Sequence, residues 1–153
     1  MDFAAGKLIL SDYCAEIQQA ALDLSDVISY HDYGPYANSV ALIKLLKKMY
    51  GRPLFNTEWL NRIQGNTVFE EYPLMMAENV GCYCWGLVAG KSQTYEPWEV
   101  MWQRIEDGTL PAEWDVTKWM HDLFRISHRP YDPKEIDLIK KINALSDVLA
   151  KRK

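Results

Sequence analysis

The sequence predicts an α/β fold built on a parallel sheet, and three observations carry that prediction. Short apolar stretches open at Asp26, Pro53 and Val80, a constant step of 27 residues. The segments between them place apolar residues at helical spacing, and no Asn-Gly type of hairpin turn joins one stretch to the next. Strand, loop and helix recurring at such a step is the pattern of parallel strands joined by right-handed crossovers. The residues themselves do not repeat, so the period is architectural.

Taken in order, Lys7–Leu10 reads as the remnant of a strand. Ser11 to Leu24 reads as a helix capped by Ser11 or Asp12, with Ile17, Ala20, Ala21 and Leu24 on its apolar side. Val27–Tyr30 is the body of the first strand, expected near 26–31. After Gly34-Pro35 a helix runs to Tyr50, with Val40, Ile43, Leu45 and Leu46 inward, Lys44, Lys47 and Lys48 outward, and Gly51 as its stop. The second strand is expected over 53–58. Thr67 to Asn79 gives a helix that Pro73 shortens or kinks, and Val80 to Leu87 is the third strand. The segment 88–132 has no clear period and carries Trp98, Trp102, Trp114 and Trp119, with short helices expected at Glu99–Ile105 and Val116–Phe124. A stretch of that length without a pattern of its own points to function. A terminal helix, 133–150, starts at Pro133 and carries Ile136, Ile139, Ile142 and Leu145, and the basic Lys151-Arg152-Lys153 end complements its dipole.

Composition narrows the function classes. The 153 residues are 48% apolar and 25% charged with a net charge of -4, the balance of one soluble globular domain. Mild acidity offers no electrostatic footprint for nucleic acid. No apolar run approaches the roughly 18 residues of a membrane span, and no secretory signal is visible, so the sequence assigns no compartment. Cys14, Cys82 and Cys84 are too few for a disulfide framework and lack metal-ligand neighbours; they read as small apolar residues. No metal or organic cofactor is called for, and no Gly-rich phosphate loop follows any strand. A nucleotide-free α/β oxidoreductase or transferase ranks last for that reason. Six Trp and nine Tyr, several of them in polar segments, suit a cleft for sugars, whose C–H faces are apolar and whose hydroxyls need hydrogen bonds.

In parallel α/β folds, active groups sit at the C-terminal ends of strands. Those ends read Ser29-Tyr30-His31-Asp32-Tyr33, Asn56-Thr57-Glu58-Trp59 and Tyr83-Cys84-Trp85-Gly86. Alternation places His31 with Tyr33, Asn56 with Glu58, and Tyr83 with Trp85. If the three faces look inward, an imidazole, a phenol, a carboxylate and an indole converge on one cleft.

This ordered set resembles the C-terminal part of a clan A glycoside hydrolase, a retaining (β/α)8 TIM barrel related to family 5 cellulases. The resemblance runs from about Ser25 to Tyr131. It implies that the chain supplies about strands 6–8 with their helices, and that 1–153 is a partial barrel domain. His31-Asp32-Tyr33 matches the His-x-Tyr of the sixth strand, Thr57-Glu58-Trp59 the nucleophile of the seventh, and Trp85 the subsite floor of the eighth. By that resemblance Glu58 is the nucleophile, Tyr33 holds it ionised, and His31 and Asn56 hold the substrate. Trp85 stacks under the sugar, and Lys91 and Gln93 reach its hydroxyls. The implied substrate is a β-linked polysaccharide or oligosaccharide, and a full-length relative is expected to be secreted or periplasmic.

A full barrel takes about 250 residues, and retaining hydrolysis needs a second carboxyl about 5–5.5 Å from the nucleophile. In the family that Glu ends the fourth strand, and the acids upstream of Ser25 (Asp2, Asp12, Glu16 and Asp23) do not match it. The expected partner is therefore a missing N-terminal barrel half, and the chain alone is expected to be inactive. The rival reading is a non-catalytic carbohydrate-binding or interaction protein derived from such a barrel.

Overall fold

Ile28, Tyr30 and Leu54 sit at alternate positions of two short strands and are all buried, so one face of the sheet is fixed by apolar pattern alone. In this computed structural model, which describes residues 15–151, the strands are β1 (Ile28–His31), β2 (Leu54–Glu58) and β3 (Gly81–Cys82). They lie in the order β1-β2-β3 and both pairs are parallel, as the 27-residue step predicts. The helices are α1 (Ala15–Leu24), α2 (Tyr36–Tyr50), α3 (Val68–Ala77), α4 (Glu99–Glu106) and α5 (Pro133–Ala150). The molecule is thus mixed α/β around a small three-strand parallel sheet. The expected strand at Lys7–Leu10, the caps Ser11 and Asp12, Cys14, and the ends Arg152 and Lys153 lie outside the described residues.

Leu42, Ile43 and Leu46 of α2, Val68 and Met75 of α3, and Ile136 of α5 close over the buried face of the sheet. The inner side of α2 is Ser39, Leu42, Ile43 and Leu46, so Leu42 replaces the expected Val40 and Leu45, which are half-buried. Gly51 ends that helix with a φ of +58°, its N–H donating to the Lys47 carbonyl. The expected apolar side of α1 is corrected outright. Ile17 and Leu24 are 69% and 85% exposed, and Leu22 alone is buried. Spacing identifies a helical stripe but not what the stripe faces. Pro73 sits inside α3 without ending it, at the cost of one helical bond to the exposed Phe69 turn.

β3 is two residues long where Val80–Leu87 was expected. A Cβ on Gly81 would lie 2.5 Å from the Phe55 ring, so glycine is what lets the backbone approach there. The chain still follows β2 beyond it, with the Tyr83 and Trp85 amides donating to the Asn56 and Trp59 carbonyls at 2.9 Å each. Gly86, at φ +83°, then turns the chain away. The half-buried Cys82 and Cys84 pack on the core as free thiols, and burial pushes the Cys82 thiol up to about 12.

The patternless segment forms α4 as expected, but no helix at Val116–Phe124. Its amides are spent elsewhere: Met120 donates to the Tyr95 carbonyl, Leu123 and Phe124 to Leu87. Asp122 also takes a φ of +49°, which interrupts any helix. Phe124 bridges in parallel to Val88 and antiparallel to Pro130. Ile63, Met101 and Met120 make a second small core with Trp114 and Val116. Arg62, 4% exposed, braces the whole segment. Its guanidinium holds Glu135 of α5 through Nε at 2.8 Å and Nη2 at 2.6 Å, and donates to the carbonyls of Trp119, His121 and Asp122. Its face lies 4.5 Å from the Tyr131 ring centroid. No helix among the described residues is long and apolar enough to cross a membrane.

Candidate active site

A register irregularity creates the site. Ile28, Ser29 and Tyr30 pair with Leu54, Phe55 and Asn56 in step, but His31 pairs with Glu58, so β2 spends two residues where β1 spends one. Without that bulge His31 would face Thr57, and Glu58 would face the buried Asp32. The Asp32 amide instead donates to the Glu58 carbonyl at 3.0 Å, which pins the end of the pair.

Glu58 is thereby brought out of the core and given two partners. The Tyr33 hydroxyl donates to its Oε2 at 2.8 Å, and His31 Nδ1 lies 3.2 Å from the same oxygen. Burial, then the hydrogen bond and charge of Glu58, hold the Tyr33 phenol above its ordinary value, so it remains a donor. His31, Tyr33 and Glu58 therefore meet as the strand-end reading expects.

Asn56 does not join them. It is 1% exposed, and its side-chain amide lies 2.7 Å from the Glu58 carbonyl and 3.2 Å from the Tyr30 carbonyl, so its nitrogen faces both. Alternation would put it on the same face as Glu58; the bulge separates the two, and Asn56 ties β1 to β2 from within the sheet. Trp85 follows β3, its amide donating to the Trp59 carbonyl at 2.9 Å, and it is 42% exposed. Tyr83 is exposed. Lys91 and Gln93 stand exposed on the turn that follows, without a side-chain bond to Glu58.

Two residues that strand-end reasoning does not reach complete the cluster. Trp98, at the start of α4, packs edge-on against Tyr33 with centroids 5.2 Å apart. His121 lies 5.4 Å from Tyr33 and 5.7 Å from Trp98. His121 is 1% exposed, its Nδ1 bonds the Leu60 carbonyl, and its buried Nε2 has no partner. Burial lowers its pKa, so the ring is neutral, with the proton on Nδ1. Leu60 itself holds a φ of +84°, a conformation costing about 1–3 kcal/mol, and Asn66 Oδ1 accepts its N–H at 2.8 Å. Asp122 lies against Gly86: a Cβ there would come within 2.6 Å of the Asp122 amide nitrogen. Its Oδ2 accepts from Thr94 at 2.8 Å, and its buried Oδ1 is unpartnered.

Chemically, a partly buried carboxylate held by a phenol that is itself backed by an indole and a neutral imidazole can act as a nucleophile or bind polyhydroxylated ligands. Among the described residues no group of three or more His, Cys, Asp or Glu side chains is placed to hold a metal ion. No protein-family model, curated protein or solved structure matches the chain.

Proposed function

We propose that this chain is the C-terminal part of a retaining β-glycosidase of the clan A (β/α)8 class. Its three parallel strands correspond to the sixth to eighth of the barrel, and Glu58 is the nucleophile. The observation that carries the reading is the 2.8 Å bond from the Tyr33 hydroxyl to Glu58 Oε2. It sits at the C-terminal end of the middle strand of a parallel sheet, where the resemblance puts the reacting carboxylate.

In the complete enzyme Glu58 attacks the anomeric carbon of a β-linked sugar and forms a glycosyl ester. The leaving oxygen takes the electron pair of the broken bond and a proton from a general acid on the N-terminal barrel half. Water, deprotonated by that same group, then releases the sugar and restores Glu58. Tyr33 keeps Glu58 aimed, His31 faces its carboxylate from the β1 side, and Trp85 floors the ring.

The test uses an activated substrate that needs no acid: a panel of 2,4-dinitrophenyl 2-deoxy-2-fluoro-β-glycosides (glucoside, xyloside, mannoside), read by intact mass and peptide mapping. One of them labels the chain stoichiometrically on Glu58, Glu58→Gln takes no label, and Tyr33→Phe is slowed about tenfold, the loss of a hydrogen bond to a charged group. Absence of label from every sugar, or label on another residue, overturns the assignment.

A further inference from the structure

Two helical stripes of this chain face solvent, and they carry opposite charge. On α4 only Met101 is buried, while Trp98 at its start, Trp102 and Ile105 recur at i, i+4 and i+7 on one exposed side. Glu99 lies one turn before Trp102 and Glu106 one turn after it, and Asp107 follows, all exposed. Arg104, the one base of that helix, turns to the Trp114 ring, 5.6 Å from its centroid. On α5 every residue from 143 to 150 is exposed, Leu145, Val148 and Leu149 among them. Helices in proteins owe most of their stability to a packed apolar face, and these last turns have none. Lys141 lies one turn before Leu145 and Lys151 one turn after Val148, while Asp147 is on the side of the helix opposite Leu145. None of these acids and lysines has an ion-pair partner among the described residues.

The two stripes sit at opposite ends of the sheet, so they cannot meet within one copy. α5 starts beside Arg62, just beyond the C-terminal end of β2, and its last turns run to Asn79 and Val80, ahead of β3. α4 stays at the first of these ends, where Trp98 packs on Tyr33 beyond β1 and Met101 on Ile63 beyond β2. We propose that the stripes meet between copies: the last two turns of α5 in one copy pack on α4 of the next, and the chain associates head to tail. Three apolar residues on each side then cover one another, with Glu99 and Glu106 set against Lys141 and Lys151. Glu106 and Asp107 also stand at the negative end of the α4 dipole, where a cation is favoured. Each copy spends one stripe and keeps the other, so the contact is heterologous and can propagate. A contact limited to two short helices falls below the about 1,600 Å² of a standard interface, so the association is weak and reversible. It is independent of the role of Glu58.

The experiment is sedimentation velocity of the full chain from about 1 μM to about 1 mM. The wild-type chain is monomeric at the low end and forms dimers and larger species at the high end. Trp102→Gln stays monomeric, and so does the double variant Leu145→Gln with Leu149→Gln. These side chains are exposed and Gln is a good helix former, so both variants keep the fold, as circular dichroism checks. Mixed one to one, the two variants form a heterodimer and nothing larger, because one keeps the α5 stripe and the other the α4 stripe. Lys141→Glu with Lys151→Glu sets acid against acid and abolishes the association as well. Association that survives any of these changes, or a mixture that stays monomeric, overturns the head-to-tail contact. A wild-type chain that is monomeric at every concentration overturns it too, leaves the stripes to a different protein and leaves the glycosidase reading standing.

Discussion

From Ile28 to Cys82 the chain is held by apolar contact. Ile28, Leu42, Ile43, Leu46 and Leu54 are each 2% exposed or less and pack on one another. From Tyr83 to Asp132 the balance is reversed: one short helix, isolated bridges and a small second core are gathered around the guanidinium of Arg62. The contrast shows how a site is shared between two kinds of order. The first region supplies Glu58, His31 and Tyr33 from strand ends, and the second supplies Trp98 and His121 by tertiary bonds. A sheet can lose a methyl and relax; a buried guanidinium that serves five acceptors cannot be half removed.

The sharpest way to break the contrast is therefore Arg62. Arg62→Ala leaves Glu135 as a buried carboxylate without its cation and frees three carbonyls, so it destabilises the fold by about 3–5 kcal/mol, read as the urea midpoint at constant slope. The paired variant Arg62→Met with Glu135→Leu removes both charges, and it recovers part of the loss but not all, because the carbonyls of Trp119, His121 and Asp122 remain unserved. Full recovery would show that the ion pair, and not the loop carbonyls, is what Arg62 is there to satisfy.

That division also explains what was legible in the sequence. β1 and β2 were readable because their apolar residues have nowhere to go but the core, and the constant step fixed their direction. His31, Tyr33 and Glu58 were readable because strand ends carry ionisable groups for a reason other than packing. Asn56 misled, since alternation assumes an unbroken register and the bulge between Tyr30 and His31 breaks it. The outward face of α1 misled because a stripe on a helix has the same spacing whether it meets a sheet or solvent. Trp98 and His121 lay beyond pattern altogether. His121 is held through its carbonyl by Arg62, 59 residues earlier in sequence, Trp98 packs on His121 and Tyr33, and the long aromatic segment without a period was the only signal of them.

A second test probes the apolar region through the charge it conceals. Glu71 of α3 is 0% exposed and both its oxygens lack a partner, because the Ser39 hydroxyl is spent on Asp32 at 2.7 Å. Burial first, opposed in part by the neighbouring Ser39 hydroxyl and reinforced by repulsion from Asp32 and Glu70, raises its pKa from 4.5 to about 7. Below pH 4.5 the group is protonated in both states. Between 4.5 and about 7 the unfolded chain releases the proton and the folded chain keeps it, so stability falls as pH rises, and above about 7 the slope ends. Asp32, likewise raised by burial, adds a loss of the same sign starting from its lower ordinary value of 3.8. Glu71→Gln therefore raises the urea midpoint at pH 8 and flattens its change between pH 5 and pH 8. A midpoint that climbs with pH in the wild-type chain would refute a protonated Glu71.

The smallest effect lies at the seam between the two regions, where Asp132 caps α5. Its carboxylate accepts the Lys134 amide at 2.9 Å, and Pro133 occupies the first helical position, where its missing N–H costs nothing. Asp132→Ala removes one partner from the exposed first turn and costs about 1 kcal/mol. Asp132→Asn keeps the acceptor and gives up only the favourable charge at the helix N-terminus, about 0.3–1 kcal/mol. The cap and the brace share that turn, since Glu135, three residues on, is the carboxylate Arg62 grips at 2.6 Å. Their effects should therefore couple: with Glu135 pinned, the uncapped turn has little freedom to fray, and in the Arg62→Ala background the same Asp132→Ala change costs more than it does alone. Urea melts of the two single variants and the double variant measure this directly. Strict additivity would mean that the first turn of α5 is held by its own cap, and that Arg62 organises the loop without organising the helix.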